Sequence, residues 1–270
     1  MLNSSIASTP LRGPLIMGGS GRLGRALAAV WPKTVPQPVW QNRYGAGGLL
    51  AWDILNEAPP KMPSISGVVV LAGLTHGSTA ALAVNTQLAK AGVHLGRERG
   101  VPVLVASTQA VYGPQRGQMC ENMPLLPQSD YGRAKLAMET AVAGPNVTCL
   151  RIGNVAGCDA LANSMARGSV ILDRFADGHG PRRAMLGPWD LFQIIQTLLA
   201  MPVRPPVLNV ARPGLVAMAD MLRAAQCPFV WRDAPSGALQ ELAMNVDLLQ
   251  TICPTPPANA VDMVAQGGLA

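Results

Sequence analysis

The stretch that most constrains this chain is Gly18-Gly19-Ser20-Gly21-Arg22-Leu23-Gly24. It follows a short apolar run, Leu15-Ile16-Met17, and it opens a helical pattern from Arg22 to Trp31 that Pro32 stops. Gly18, Gly21 and Gly24 make G-x-x-G-x-x-G between a strand and a helix. In such a turn the first glycine permits the tight bend and the second lets backbone approach a pyrophosphate. The third lets the helix pack on the strand, and the helix N-terminus then faces phosphate. Alone, the pattern also fits an ordinary glycine-rich loop. Its flanks favour a dinucleotide turn.

The rest of the chain repeats the alternation that such a turn requires. Val39-Trp40-Gln41-Asn42 reads as a second strand, and Val68 to Ala72 as a buried one by its β-branched continuity. Thr79 to Arg99 reads as one long helix. Val101 to Ala106 is an apolar strand ending at Ser107-Thr108. Ser129 to Ala143 reads as a helix and Val147 to Ile152 as a strand. Strands alternating with helices give a doubly wound α/β fold with a parallel sheet. Its ligand crevice lies at the carboxyl ends of the strands. From Ala156 the pattern loosens, with Gly, Pro and Arg frequent through Gly178-His179-Gly180-Pro181-Arg182-Arg183. A helix returns at Trp189 to Met201 and a strand at Val207 to Val210. Gly214 to Cys253 reads as helical segments before a Pro-rich break. The expected division is a dinucleotide-binding domain over 1–157 and 186–213. A small substrate domain would take 158–185 and 214–270.

Composition excludes several function classes. With 49% hydrophobic and 13% charged residues, the 270-residue chain has the balance of a globular protein with a large core. No run of about 18 apolar residues occurs, so no membrane span is expected. Met1 to Pro14 is polar and reads as a loose tail, not a secretory signal. The formal charge is +6, but the arginines are scattered and aromatics are only 4%, so no nucleic-acid surface is legible. An anionic small molecule suits that balance. Five Cys, an odd number without C-x-x-C, point to reduced thiols and a cytoplasmic protein. His76, His94 and His179 are isolated, and no metal site is readable.

Tyr131-Gly132-Arg133-Ala134-Lys135 supplies chemistry. Residues four apart share a helix face, so the Lys135 ammonium can sit near the Tyr131 phenol. A nearby cation lowers a phenol from its usual pKa of about 10. Such a phenol can take a proton from a hydroxyl or give one to a carbonyl. A solvated helix face is the bland alternative. Thr108, at a strand's carboxyl end, offers a hydroxyl to the same oxygen, or merely caps the strand.

These motifs together resemble the extended short-chain dehydrogenase/reductase family, in its sugar-nucleotide epimerase/dehydratase branch. The resemblance runs from about Leu15 to Cys253 and implies a Rossmann fold binding NAD(P). Gly18, Gly21 and Gly24, with Arg22 and Leu23 between them, match the cofactor fingerprint. Asp53-Ile54 looks like the pair that contacts adenine. Ala72-Gly73 looks like the turn beneath the cofactor, and Asn85 like the asparagine of the next helix. Ser107-Thr108-Gln109-Ala110-Val111-Tyr112-Gly113 resembles S-[ST]-x-x-V-Y-G, which implies Thr108 as catalytic hydroxyl. Tyr131 and Lys135 match Y-x-x-x-K, with Lys135 also on the cofactor ribose. Leu150 to Gly157 looks like L-R-x-x-N-x-x-G, whose Asn154 would border the substrate. Arg183, seven residues before Asp190, matches an arginine that meets a substrate diphosphate.

The chain also departs from the pattern. The family's dehydratases carry Asp-Glu after the catalytic threonine, where this chain has Gln109-Ala110. That favours epimerisation or carbonyl reduction over 4,6-dehydration. At the end of the second strand, where an acidic residue would bind the ribose hydroxyls of NAD, stand Gln41-Asn42-Arg43. Arg43, with Arg22 in the turn, tilts the expectation to NADP. A homodimer is implied by the resemblance, through the helices Thr79 to Arg99 and Ser129 to Ala143. The rival reading is a non-catalytic NAD(P)-binding sensor on the same fold. An RNA-associated member of the fold gets little support from scattered arginines.

Overall fold

Leu15, Ile16 and Met17 are all fully buried. A strand covered on both faces needs an apolar residue at every position, so the run shows no polar alternation. The computed structural model describes residues 13–115, 117–168 and 170–269. It assembles seven strands into one sheet: β1 (Leu15–Met17), β2 (Val39–Asn42), β3 (Leu50–Ala51), β4 (Val68–Val70), β5 (Val103–Thr108), β6 (Val147–Ile152) and β7 (Val207–Val210). The spatial order is β7-β6-β5-β4-β1-β2-β3. Every pairing is parallel. β1 lies between β2 and β4, so the order reverses there, and the crevice opens at that switch point.

Helices cover both faces. Successive strand residues point to opposite sides. Ile16, Val69, Leu104 and Leu150 pack with Leu27 of α1 (Arg22–Val30). The helix Pro188–Ala200 adds Leu191, Ile194 and Leu198 to that cluster. Leu15, Met17, Val68, Val70 and Val105 pack with Ala89 and Val93 of α2 (Val84–Arg99) and Met138 and Val142 of α3 (Asp130–Val142). Complete burial of each such side chain is worth about 1.5–3 kcal/mol.

Three local readings are corrected. The strand begun at Val68 stops at Val70: Leu71 N still donates to Met17 O, but Ala72 then packs beneath Gly18. The helix expected over Thr79 to Arg99 is two pieces, Thr79–Leu82 and α2. Ser78 caps the first by accepting from Ala81 N at 3.2 Å. Asn85, 1% exposed, clamps the start of α2 to the loop after β4. It accepts from Leu74 N at 2.8 Å and donates to Leu74 O at 3.0 Å. Of the expected tail, residues 1–12 lie outside the described residues. Gly13 and Pro14 are tied down before β1: Gly13 O accepts from Ser66 N and Pro14 O from Val39 N.

The later part of the chain is more varied than helical segments alone. Arg182–Arg183 pairs with Val216–Ala217 and with Glu241–Met244, and the last pairs with Gln118–Met119. Ile171–Arg174 pairs in parallel with Val230–Asp233. Leu172, Met185, Met218, Leu222 and Met263 share a third apolar cluster.

Candidate active site

The glycine turn is shaped by close backbone approach. Gly18 has φ +91°, and a Cβ there would lie 2.7 Å from Ala72 N. A Cβ on Gly24 would lie 2.4 Å from Gly18 O, so only glycine lets α1 sit this close to the turn. Gly21 is different: its Cβ would meet only Gly18 O, at 3.2 Å, and would otherwise project into open space. Gly21 also begins α1 with no side-chain cap and no acidic residue in the first turn. The first-turn N–H groups and the positive end of the helix are thus free for an anion. This cradle suits the pyrophosphate of a dinucleotide.

At the carboxyl end of β2, Gln41 turns inward. Its Oε1 accepts from Gly18 N at 3.0 Å, and its Nε2 donates to Trp52 O at 2.7 Å. Asn42 spends its side chain on Tyr44, Gly45 and Ala46. Arg43 is half-exposed and lies 3.7 Å from Asp53. Asp53 also accepts from Asn56 at 2.9 Å, and its carboxyl is held below the usual range, first by that hydrogen bond. Ile54 packs on the core. Arg43, Asp53 and Ile54 therefore stand together beyond β2 and β3, outside the main cleft.

That cleft has a volume of about 460 Å³. Gly18, Gly21, Arg22, Leu23, Gly24 and Gly73 line it together with Thr108, Tyr131, Lys135 and Asn154. The chain meets there for local reasons. Ser129 caps α3 by accepting from Gly132 N at 3.0 Å. A Cβ on Gly132 would lie 2.6 Å from Ala110 O. The bare glycine lets the first turn of α3 press on the segment after β5, which sets Tyr131 beside Thr108. Burial pushes the Tyr131 phenol above its ordinary value, against a smaller lowering by the Thr108 hydroxyl. The lowering expected from Lys135 is absent here. Lys135, 6% exposed, donates instead to Ala106 O at 2.7 Å. Burial pulls its pKa down to about 8.

Asn154 is held from both sides. It accepts from Gln109 Nε2 at 2.8 Å and donates to Asp159 Oδ2 at 3.0 Å. Gln109, Asp159, Asn163, Thr75, His76 and Cys158 also line the cleft, and none was singled out as a site residue from sequence. Asp159 was detectable only as a helix cap; it accepts from Ala162 N at 3.0 Å. Arg183 is not among the lining residues. Its guanidinium donates to the carbonyls of Arg182, Gln240 and Leu239 at 2.8, 2.9 and 3.2 Å. Asp190, its spacing partner, is buried against Arg212 at 2.7 Å. Among the described residues no group of His, Cys, Asp and Glu could hold a metal ion. No helix among them is long and apolar enough to cross a membrane.

Comparison with known proteins agrees with this architecture. No curated protein matches the chain by sequence. Solved structures match over nearly its whole length. A UDP-glucose 4-epimerase from Brucella ovis, in complex with NAD, superposes with TM-score 0.79 at 16% identity, covering 94% of this chain and 97% of that one. The NAD-dependent NDP-hexosamine 5,6-dehydratase TunA of tunicamycin biosynthesis gives 0.76 at 20% identity, covering 96% and 97%. A UDP-N-acetylglucosamine 4-epimerase from Bacillus cereus gives 0.76 at 16%, covering 96% of each chain. At such identities these likenesses show the fold. The model of the NAD dependent epimerase/dehydratase family matches residues 14–187, well over half the chain. The chain therefore belongs to the NAD dependent epimerase/dehydratase family.

Proposed function

We propose that the protein is an NAD(P)-dependent epimerase or reductase acting on a hydroxyl/carbonyl carbon of a nucleotide-linked sugar, with Tyr131 as acid/base. The observation that carries this reading is the presence of Thr108, Tyr131 and Lys135 in one cleft with the Gly18–Gly24 turn. The glycine turn, Ala72 and Gly73 would hold the dinucleotide, with Lys135 on its ribose. When bound, the nicotinamide supplies the carbon that carries hydride. Tyr131 takes the proton of a substrate hydroxyl or returns it to a carbonyl oxygen. Thr108 orients that oxygen, and Asn154, fixed by Gln109 and Asp159, borders the substrate. The raised phenol favours the neutral acid form of Tyr131, which is the form that gives a proton to a carbonyl.

NADP(H) is proposed to bind at least as tightly as NAD(H). The residues that close β2, Gln41 and Asn42, carry no charge, and Arg43 after them is half-exposed beside Asp53.

The test is a screen of nucleotide sugars and small ketones, following the absorbance of reduced nicotinamide. On the substrate it identifies, Tyr131→Phe should bind NAD(P)H nearly normally and lose about 10²–10⁴-fold in rate. Full activity in that variant would overturn the acid/base role and favour a binding module. Nicotinamide retained through purification separates an epimerase from a reductase.

A further inference from the structure

We propose that Asp53 sets the choice between NADP and NAD by restraining Arg43, the cation that would meet a 2′-phosphate. The proposal rests on the reading that the protein binds NAD(P). It gives Asp53 a task distinct from the adenine contact that the family resemblance implies. Strands β2 and β3 pair in parallel, with Gln41 opposite Leu50 and Asn42 opposite Ala51. Arg43 is the first residue after β2, and Asp53 the second after β3. Gln41 ties this corner to the glycine turn. Its carbonyl accepts from Gly19 N at 2.7 Å, and its Nε2 donates to the carbonyl of Trp52, the residue before Asp53. A dinucleotide with its pyrophosphate at the start of α1 brings its adenosine ribose to the carboxyl end of the second strand. Arg43 and Asp53, 3.7 Å apart, therefore stand on the ribose side of the cradle.

The two partners are unequal. The Asp53 side chain is 23% exposed and that of Arg43 52%. Asp53 is fixed by its own turn. Its Oδ2 accepts from Asn56 Nδ2 at 2.9 Å, and its carbonyl accepts from Asn56 N at 3.0 Å and Glu57 N at 2.9 Å. Arg43 has no other carboxylate partner among the described residues, and the Tyr44 ring lies 5.9 Å from its guanidinium. A long arginine stem can swing, whereas a carboxylate held in a turn cannot. When Arg43 turns to a phosphate, Asp53 stays behind as an anion beside it. A phosphate monoester carries about −1.5 to −2 charge at pH 7. Asp53 thus opposes a 2′-phosphate twice, by competing for the guanidinium and by repelling the phosphate. NAD presents a neutral hydroxyl at that position and meets neither effect. The charge of Arg43 favours NADP, and Asp53 limits how far.

NADP⁺ and NAD⁺ differ only in that phosphate, so the ratio of their affinities isolates it. Calorimetric titration of both into wild type gives the reference ratio. In Asp53→Asn, or in Asp53→Ser should the first not fold, the ratio should shift toward NADP⁺ by about three- to tenfold. That is the range for one exposed unit charge a few ångströms from the phosphate. Asp53→Glu keeps the charge and should stay near wild type. The Asp53→Asn shift should shrink as salt rises from about 0.05 M to about 0.5 M, because exposed charges are screened. In an Arg43→Ala background Asp53→Asn should shift the ratio less, since only the repulsion is left to remove. An unmoved ratio in the folded neutral variants would overturn the proposal, and an equal loss of affinity for both dinucleotides would return Asp53 to the adenine contact. Asp53→Glu shifting as far as Asp53→Asn would also overturn it, as would an equal Asp53→Asn shift with and without Arg43. Wild type that binds neither dinucleotide fails the NAD(P) reading itself, whereas wild type that binds both leaves that reading standing whatever Asp53 does.

Discussion

Two substitutions in the glycine turn should separate stability from cofactor binding. In Gly24→Ala the new methyl would lie 2.4 Å from Gly18 O and 2.7 Å from Gly19 O. Both are backbone atoms, so α1 must move off the turn by several tenths of an ångström. Overpacking of this kind costs about 1–3 kcal/mol. The gain in helix propensity returns about 1 kcal/mol. The net expectation is a loss of about 0–2 kcal/mol, short of the stabilisation that propensity alone would give, with weaker NAD(P) binding because the cradle is distorted. In Gly21→Ala the methyl meets Gly18 O at 3.2 Å, and Gly21 has φ −68°, ordinary for alanine. Stability should stay within about 0.5 kcal/mol of wild type. Affinity should still drop, because the methyl occupies the space through which a phosphate reaches the first-turn N–H groups. A tenfold loss corresponds to about 1.4 kcal/mol. Urea unfolding can be followed by tryptophan fluorescence, since Trp31 and Trp40 pack in the cluster beside α1. Calorimetric titration of NAD⁺ and NADP⁺ gives the affinities. A Gly24→Ala protein about 1 kcal/mol more stable than wild type, as helix propensity alone would make it, would refute the packing argument. A Gly21→Ala protein with wild-type affinity would refute the cradle.

Lys135 has a folded pKa of about 8, below its ordinary 10.5, so between those values the unfolded chain holds the extra proton and stability rises with pH. Cys149, raised from 9 to about 12, contributes the opposite slope above pH 9, offsetting the lysine up to 10.5 and lowering stability beyond it. Relative to Lys135→Met, wild type should gain about 1 kcal/mol of unfolding free energy from pH 8 to 9; a flat difference would contradict the buried-lysine geometry. Arg43→Ala should weaken NADP⁺ more than NAD⁺, and parallel titrations showing an unchanged ratio would remove Arg43 from cofactor choice. Light scattering at micromolar concentration should give twice the 28.2 kDa chain mass, as the proposed dimer through α2 and α3 requires, and a monomer would reject it.

The fold was legible where local chemistry and tertiary demand coincide. Leu15–Met17, Val68–Val70 and Val103–Val105 are apolar at every position because a parallel strand is covered on both faces, and that run survives in one dimension. Gly18 and Gly24 were legible because only glycine tolerates the approach of Ala72 and Gly18 O. The four-residue spacing of Tyr131 and Lys135 placed both on one helical face. It did not decide where either side chain goes. Burial raises the Tyr131 phenol, and Ala106 O, a backbone atom 29 residues away in sequence, takes the Lys135 ammonium. Gln109, Asn154 and Asp159 form one hydrogen-bonded row from two strand ends and a helix cap, which no spacing encodes. Arg183 kept its sequence spacing to Asp190, yet the strands around it direct its guanidinium to the carbonyls of Leu239 and Gln240. Sequence alone determined the glycine turn and the residues of the proposed proton-transfer pair. Desolvation and long-range backbone partners, which exist only after the chain closes on itself, decided their charge and orientation.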